Sequence, residues 1–354
     1  MNHKRKICFV TPTLQMGGME RVVSLLSNHA AKNGYDVYII CLINKKSYYY
    51  LDDRVNVLEP AFEYKKGLLN KTKVFYHVSS CLFSVRPSVV LSFSEVFNPL
   101  SIISAKLANI PVYISDRSNP KKELSLLTQI LRKLTYPLAK GMISQTELAK
   151  TISLNKGYNN NITVIPNPLR EIDDTIERIK GPIIISVGRL VSTKNYKELI
   201  DIFFEIEDEK KWQLWILGDG PDRSDLQEHI NELKLNDRVK LFGAVKDVDS
   251  YLSKASIFAF SSISEGFPNA LSEAIAYPLP CIAYDCPAGP ADLIKNEENG
   301  FLIPIHDRDS FKLHLIKLMR NNLLRESFMS SYKLHRKSYN IDSISERYLN
   351  FLLN

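Results

Sequence analysis

The chain lacks the features that mark several special classes of protein. Its 354 residues include only five cysteines, and no two of them form a C-x-x-C pair. This excludes a disulfide scaffold and a zinc ribbon. No stretch approaches the roughly 18 to 20 apolar residues that a membrane span requires. With 45% apolar and 24% charged residues, the composition also excludes a disordered, collagenous or coiled-coil chain, and the length suits two domains.

The first apolar run is too short for a secretory signal. It covers only Ile7–Val10, and polar residues such as Gln15 and Glu20 follow closely. A signal peptide needs a longer hydrophobic region. We therefore predict that this run is a buried strand and expect a cytoplasmic protein.

Charge is divided unevenly along the chain. Residues 1–165 hold 22 Lys and Arg against 10 Asp and Glu, and the remainder holds 24 against 29, so the halves carry +12 and −5. The basic half is expected to attract an anionic partner. Its densest part lies between Tyr64 and Tyr76 and contains Lys65, Lys66, Lys71 and Lys73. This segment fits either the surface of an anionic membrane or an ordinary solvated helix face. Nucleic acid fits less well, because no motif for reading it accompanies the charge.

Short β-branched runs alternate with amphipathic helical stretches in both halves. The strand candidates are Ile7–Val10, Val37–Leu42, Val89–Phe93, Val112–Ser115, Met142–Ser144, Ile183–Val187, Gln213–Leu217, Val239–Phe242, Ile257–Phe260 and Cys281–Tyr284. Such alternation is typical of parallel sheets covered by helices on both faces. We predict an α/β protein with two doubly wound, Rossmann-like domains, residues 1–166 and 167–338, that face each other across a cleft. The ligand is then expected at the loops that follow the strands.

Two of these loops suit a diphosphate. Gly17 and Gly18 stand at a predicted helix start, where backbone can approach an anion, although a plain tight turn explains them equally well. In the second half, Gly188 follows a strand, Arg189 comes directly after it, and Lys194 lies five residues beyond Arg189. Arginine grips phosphate oxygens with its fork and lysine acts as a point charge, so the pair predicts an anion site.

Two further strand ends carry glycine turns. Gly218 and Gly220 would let a flat ligand lie against the backbone. Phe242 to Val245 could offer main-chain groups to a nucleobase. Tight turns need glycine for structural reasons alone, so these two signals are weaker.

The most informative stretch surrounds two glutamates. Glu265 lies in a loop before a helix predicted to begin at Pro268 or Asn269, and Glu273 lies about one turn inside it. The amides of Asn269 and Ala270 are expected to be free for a phosphate. Glu273 would then suit a ribose diol and Glu265 a sugar ring. The same two carboxylates could instead be the acid and nucleophile of a glycosidase, but that leaves Arg189 and Lys194 without a role.

Together these motifs resemble the family 4 retaining glycosyltransferases of the GT-B fold, which build bacterial surface polysaccharides and lipid-linked oligosaccharides. The matching pieces, in order, are Gly17-Gly18-x-Glu20-Arg21, Gly188-Arg189-Leu190 with Lys194, Gly218-Asp219-Gly220, Glu265 with Glu273, Cys286–Ile294 and Asn299–Leu302. They span nearly the whole chain, and it is the ordered set that is specific.

The resemblance implies a role for each motif. Arg189 and Lys194 would hold the diphosphate of a nucleotide sugar, helped by Asn269 and Ala270, while Gly17 and Gly18 approach it from the first domain. Glu273 would bind the ribose and Glu265 the transferred sugar. The resemblance further implies a metal-independent enzyme without a cofactor, and a C-terminal helix, residues 339–354, that returns to the first domain.

One loop departs from the family pattern. Many members carry a histidine after the strand that corresponds to Val112–Ser115, whereas this loop contains Asp116 and Arg117 and no histidine. Some polysaccharide enzymes are similar here, so the resemblance places Asp116 and Arg117 on the acceptor side of the reaction.

The expected activity is retaining transfer of a hexosyl group, such as glucose, galactose or an N-acetyl derivative, from a UDP-sugar to a glycan acceptor. A polyprenyl-diphosphate-linked acceptor would bring the protein to the inner face of the cell membrane. A sugar-nucleotide epimerase of the same fold and a non-catalytic two-lobed sugar-binding protein remain alternatives.

Overall fold

The structure is a computed structural model that describes residues 5–44, 47–64, 67–206, 209 and 211–354. The chain divides into two compact units, which we call unit 1 (Met1–Pro168 with Tyr339–Asn354) and unit 2 (Leu169–Ser338). The division falls two residues after the boundary placed from the sequence. Residues Tyr339–Asn354, the predicted returning helix, belong to unit 1.

Unit 1 contains a seven-stranded sheet among the described residues, with the order β3-β2-β1-β4-β5-β6-β7 and every pair parallel. Its strands are β1 (Lys6–Thr11), β2 (Asp36–Cys41), β3 (Val55–Leu58), β4 (Val89–Phe93), β5 (Val112–Ser115), β6 (Gly141–Ser144) and β7 (Ile162–Val164). Its helices are α1 (Gly18–Lys32), α2 (Leu68–Val85), α3 (Asn98–Leu107), α4 (Leu126–Thr135) and α5 (Glu147–Asn155), with α14 (Ile341–Leu353) added from the end of the chain.

Both faces of this sheet are buried, which explains the continuous apolar strands. Successive strand side chains point to opposite faces, so Ile7 and Phe9 join one core and Cys8 and Val10 the other. The first core contains side chains of α1 and α14, and the second contains side chains of α2 and α3. Tyr348 of α14 is 2% exposed, so the C-terminal helix is an integral layer of unit 1.

Unit 2 repeats this plan with six strands among the described residues. The parallel order is β10-β9-β8-β11-β12-β13. The strands are β8 (Ile183–Val187), β9 (Gln213–Leu217), β10 (Val239–Gly243), β11 (Ile257–Phe260), β12 (Cys281–Tyr284) and β13 (Gly300–Ile303). The helices are α6 (Tyr196–Phe204), α7 (Arg223–Glu232), α8 (Asp249–Leu252), α9 (Asn269–Ala276), α10 (Pro290–Leu293), α11 (Arg308–Arg320), α12 (Asn322–Phe328) and α13 (Tyr332–Tyr339).

The predicted pair of doubly wound α/β domains is confirmed, and the strand order locates a switch point in each. In unit 1 the order reverses between β1 and β4, and in unit 2 between β8 and β11. After these two neighbouring strands the chain turns toward opposite faces of the sheet. This divergence opens a crevice at the carboxyl ends of the strands, and ligands bind there in such folds. The loops after these four strands are therefore the places to look for function.

The three strands that the sequence analysis missed all lie at sheet edges. They are β3, β7 and β13. Of the four residues in β3 only Val55 is buried, while Asn56 and Val57 are exposed. An edge strand has a partner on one side only and can be short and partly polar, so its sequence carries a weaker pattern.

The basic segment between Tyr64 and Tyr76 lies at the start of α2. Lys65 and Lys66 fall outside the described residues, while Lys73 and Tyr76 are exposed on the helix. Among the helices that the structure describes, none has the length and hydropathy to cross a membrane.

Candidate functional site

The switch point of unit 2 joins a lysine to a glutamate. Lys194 stands in the loop after β8 and Glu265 in the loop after β11, and Lys194 Nζ lies 2.5 Å from Glu265 Oε1. The two side chains are 19% and 11% exposed. The ammonium also lies 5.7 Å from the centroid of the Phe260 ring. Two residues separated by 71 positions thus form a charged pair at the crevice.

Backbone hydrogen bonds hold the two loops together. A short 3₁₀ turn, Ser192–Lys194, ends at Asn195 in the left-handed conformation, with φ of 55°. Ser261 Oγ donates to the Lys194 carbonyl at 2.8 Å, and the Ile263 amide donates to the Thr193 carbonyl at 2.9 Å. The position of Lys194 is therefore determined by the main chain as well as by Glu265.

Arg189 differs from Lys194 in its surroundings. Its side chain is exposed, and the described residues provide it with no side-chain hydrogen bond or ion pair. The predicted pair of cations thus consists of one lysine engaged by a carboxylate and one arginine that faces solvent. An anion at this loop could be gripped by Arg189 without breaking an internal contact.

Two of the predicted glycines are required by close packing of neighbouring loops. Gly218 has φ of +136°, and a Cβ there would lie 1.9 Å from the carbonyl oxygen of Gly188. A Cβ on Gly220 would lie 2.2 Å from the Leu190 carbonyl oxygen. These glycines let the loop after β9 lie directly against the loop that carries Arg189. Their contact with a ligand stays a prediction.

Helix α9 begins at Asn269, as the sequence predicts, but one of its expected free amides is occupied. The Asn269 amide donates to the Phe267 carbonyl at 3.0 Å, so the prediction of a free Asn269 donor is wrong for this structure. The Ala270 amide has no acceptor among the described residues, as expected for a helix start. Pro268 precedes the helix and is buried.

Glu273 lies inside α9 and is held by an arginine that the sequence analysis did not single out. The carboxylate is part of a residue only 7% exposed, and Arg170 Nε donates to its Oε2 at 3.0 Å. Arg170 also donates from Nη1 and Nη2 to Asp249, at 2.8 and 2.5 Å. Burial alone would lower the pKa of Arg170, but the hydrogen bonds to Asp249 and the charge of Glu273 raise it above the usual value. Glu273 is thus positioned by a permanent cation.

Arg170 could not be recognised from the sequence, because its partners lie far along the chain. Glu273 is 103 and Asp249 is 79 positions away. No local pattern marks such a contact. The fixed position of Glu273 agrees with a binding role but does not test its predicted contact with ribose.

Phe242 lies on the edge strand β10 and belongs to an aromatic cluster. Its ring centroid lies 5.0 Å from that of Trp215 and 4.9 Å from that of Tyr251. Val245 follows in the next loop and is half-buried. The switch point lies at β8, on the other side of β9. The structure therefore places these two residues at a strand end but not beside Lys194 or Glu265, and their contact with a base stays a prediction.

In unit 1, Gly17 and Gly18 stand at the switch point, at the start of α1. Gly17 has an extended backbone with φ of −177°, and α1 has no side-chain cap. A Cβ on Gly17 would lie 2.2 Å from Oε2 of Glu20. Thr13 Oγ1 donates to Oε1 of the same glutamate at 3.1 Å, and burial raises the pKa of Glu20. Gly17 thus leaves room for a glutamate that covers the helix start.

Asp116 lies after β5 in a dense polar network. It accepts hydrogen bonds from Asn98 at 3.1 Å and from Tyr136 at 2.7 Å, and it pairs with Arg132. Burial raises the pKa of Asp116 even though the charge of Arg132 opposes it. All three partners of this carboxylate come from unit 1 itself.

Arg117 connects its loop to the C-terminal helix. It donates to Asn167 Oδ1 and to the Tyr348 hydroxyl, both at 2.7 Å, and its guanidinium lies 4.7 Å from the centroid of the Phe93 ring. The structure therefore shows a tethering function for Arg117. A place for Asp116 and Arg117 on the acceptor side stays a prediction.

Unit 2 thus brings Lys194 and Glu265 into direct contact, with Arg189 on the first of the two loops and Ala270 just beyond the second. Unit 1 places its predicted residues at two separate strand ends, β1 and β5. Within the described ranges, no three His, Cys, Asp or Glu side chains are grouped as a metal site would require.

Comparisons with known proteins agree with this architecture. The chain matches the family model Glycosyltransferase Family 4 over residues 16–170 and the model Glycosyl transferases group 1 over residues 170–334. It is 27% identical to the amylovoran biosynthesis glycosyltransferase AmsD of Erwinia amylovora over 95% of this chain and 96% of that protein. The structure superposes on the Anabaena protein HepE, crystallised with UDP and glucose, with a TM-score of 0.81 over 98% of both chains at 16% identity.

A further relative has a more detailed name. The chain is 25% identical, over 98% of both proteins, to the Campylobacter jejuni GalNAc-α-(1→4)-GalNAc-α-(1→3)-diNAcBac-PP-undecaprenol α-1,4-N-acetyl-D-galactosaminyltransferase. The two parallel α/β domains match the GT-B fold of the glycosyltransferase structures to which the chain is similar. The protein belongs to the glycosyltransferases, with a family 4 domain followed by a group 1 domain. Its relatives act in the synthesis of bacterial polysaccharides and lipid-linked oligosaccharides.

Proposed function

We propose that the protein is a retaining glycosyltransferase that moves a hexosyl group, or its N-acetyl derivative, from a UDP-sugar to a glycan acceptor. The observation that carries this proposal is the Lys194–Glu265 pair at the switch point of unit 2, with Arg189 exposed on the same loop. A diphosphate needs cations at this place in the fold, and the loop after β8 supplies two of them, Arg189 and Lys194. The HepE complex with UDP and glucose supports UDP as the nucleotide.

Charge separation is the difficult step of this reaction. As the bond to the sugar breaks, the diphosphate gains negative charge and the sugar becomes cation-like. Arg189 and Lys194, together with the Ala270 amide, would stabilise the leaving diphosphate through preorganised electrostatics. In the structure Glu265 neutralises Lys194, and during transfer this carboxylate would contact the transferred sugar.

The other predicted residues complete the proposal. Glu273, held by Arg170, would accept hydrogen bonds from the ribose hydroxyls. Gly17 and Gly18 would offer their backbone to a phosphate, and Asp116 and Arg117 would shape the acceptor side through the network that fixes them. We assign retention to departure and attack on the same face of the sugar, without a covalent intermediate and without a metal ion.

The acceptor follows from the relatives and from charge. The Campylobacter enzyme is named for a glycan carried on undecaprenyl diphosphate, and the first 165 residues of this chain carry +12. A basic domain suits an anionic, membrane-bound acceptor. We therefore propose a polyprenyl-diphosphate-linked or growing polysaccharide acceptor at the inner membrane face.

A screen of purified nucleotide sugars tests the activity. The chain should slowly hydrolyse one UDP-hexose or UDP-N-acetylhexosamine, and chelation of divalent ions should leave the rate unchanged. With an acceptor, NMR of the product should show the anomeric configuration of the donor. Isomerisation of the donor without an acceptor would instead establish an epimerase, and an inverted product would overturn retention.

A further inference from the structure

Helix α4 of unit 1 has its polarity reversed relative to a normal surface helix. Its polar residues Thr128, Arg132 and Thr135 are 8%, 9% and 6% exposed. Four of its five apolar residues are exposed instead, with 73% exposure at Leu126 and 66% at Leu134. A surface helix of a globular protein normally buries its apolar stripe.

The exposed apolar residues form one continuous stripe. At 3.6 residues per turn, positions 126, 127, 130 and 134 fall within an arc of about 100°, and Leu127 and Ile130 are 56% and 47% exposed. Leu138, just beyond the helix, extends the stripe with 49% exposure. Contiguous apolar surface of this kind marks an interaction site.

The surroundings of this stripe are strongly basic. Residues 118–140 contain five Lys and Arg against one acidic residue. A cavity of about 390 Å³ beside the helix is lined by Lys121, Lys122, Lys156 and Arg132, with Glu123 as its acidic lining residue. Apolar side chains bordered by lysines are the pattern of a helix that lies in a membrane interface.

We propose that α4 is the membrane-docking face of unit 1. Its leucines would enter the acyl boundary of an anionic bilayer, and the basic cavity would hold a lipid phosphate headgroup. A second copy of the chain fits less well, because a symmetric contact would bring two basic surfaces together. The inference deepens the proposed function and rests on its membrane-bound acceptor.

The basic segment of α2 would belong to the same membrane-docking surface as α4. Helix α3 packs against both α2 and α4, so the exposed Lys73 and Tyr76 lie on the same side of the sheet as the apolar stripe. The bilayer would therefore meet two helices of unit 1 and not the predicted 64–76 segment alone.

Co-sedimentation with vesicles tests the apolar stripe. The intact protein should pellet with vesicles that contain about 30% phosphatidylglycerol and much less with pure phosphatidylcholine. The double variant Leu126→Gln with Leu134→Gln should reduce the partition coefficient about tenfold or more. Leu323→Gln with Leu334→Gln is the matched control in unit 2, where the two leucines are 77% and 70% exposed. It should bind as the unchanged protein does.

The charge is tested separately. Lys121→Gln with Lys122→Gln should weaken binding to the anionic vesicles about tenfold to thirtyfold. Lys240→Gln with Lys254→Gln, two exposed lysines of unit 2, should have no such effect.

Several outcomes would overturn the assignment. These are equal binding to both vesicle types, equal losses in test and control variants, or no vesicle binding. If the protein fails to bind vesicles and instead forms a concentration-dependent dimer that Leu126→Gln with Leu134→Gln abolishes, a second copy of the chain covers the helix. UDP affinity measured on the same variants should be unchanged. If vesicle binding behaves as expected but UDP does not bind, the proposed function fails and the docking face stands.

Discussion

The two units share one strand order but use the ends of their strands differently. At the switch point of unit 2, two loops place Lys194 against Glu265 and leave Arg189 in solvent. In unit 1, the loop after β5 is occupied by its own side chains, with Asp116 held by Arg132 and Arg117 held by Tyr348. Unit 2 thus leaves a charged side chain available to bind a ligand. In unit 1 the charged side chains of this loop bind one another or their neighbours, and the excess positive charge lies on the surface. Similar topology therefore does not imply similar chemistry.

The largest effect is expected from the buried pair of unit 1. Replacing Arg132 by Met leaves Asp116 without its cation, and also removes the stacking of the guanidinium on Tyr158, 4.4 Å from its ring centroid. Loss of one member of a buried pair costs about 3 to 5 kcal/mol. Urea unfolding should show this loss for Arg132→Met and almost none for the exposed neighbour Lys133→Met.

The same variant also distinguishes the contribution of unit 1 to stability from the contribution of unit 2 to UDP binding. If unit 1 uses the network for its own stability, UDP affinity at unit 2 should be unchanged in folded Arg132→Met protein. A destabilisation below about 1 kcal/mol would mean that the network is not the internal anchor we describe.

The next effect concerns the cation of unit 2. Lys194→Ala should reduce turnover about 10²- to 10³-fold, because a preorganised charge at the leaving group is lost. Lys197→Ala, an exposed lysine three positions further on, is the control and should retain nearly full activity. Comparable rates for both variants in a transfer assay would remove Lys194 from the mechanism.

A smaller effect is expected from the pH dependence of unit 2. His335 Nε2 lies 3.0 Å from both the carbonyl oxygen and Oγ of Ser272 in α9. Burial lowers the pKa of His335 to about 4, against a weaker opposing effect of the hydrogen bond to Ser272. Because the unfolded chain binds this proton near its usual pKa of about 6.5, stability is retained above that pH and falls as the pH decreases toward 4.

Protonation of this histidine thus lowers the free energy of unfolding by at most about 3 kcal/mol between pH 6.5 and pH 4. Urea unfolding at a series of pH values should show a flatter profile for His335→Gln. The exposed His306→Asn, at a residue with φ of 69°, is the control, since asparagine tolerates this conformation. Identical slopes for His335→Gln and the unchanged protein would contradict the burial argument.

The central strands could be predicted from the sequence because burial on both faces makes them continuously apolar. Val89–Phe93 and Ile257–Phe260 have the bounds that the sequence indicated. The edge strand β3 could not be predicted from the sequence, because it is short and half-exposed. Glu265 and Lys194 were recognisable from their motifs, but their contact depends on two loops that only the folded sheet brings together.

Other features left no local signal. Arg170 holds Glu273 from 103 positions away, and nothing in its neighbours indicates this. The periodicity of α4 shows that the helix is amphipathic but not which face is buried. Only the structure shows that Arg132 points inward and Leu126 outward.

The most direct test of the account is calorimetric titration of UDP into the intact protein and two variants. Arg189→Ala should weaken UDP binding about tenfold or more, because it removes the exposed guanidinium that grips the diphosphate, while Lys197→Ala should bind as the unchanged protein does. If the folded, unchanged protein had no measurable affinity for UDP or GDP, the assignment of a diphosphate site at Arg189 and Lys194 would be wrong.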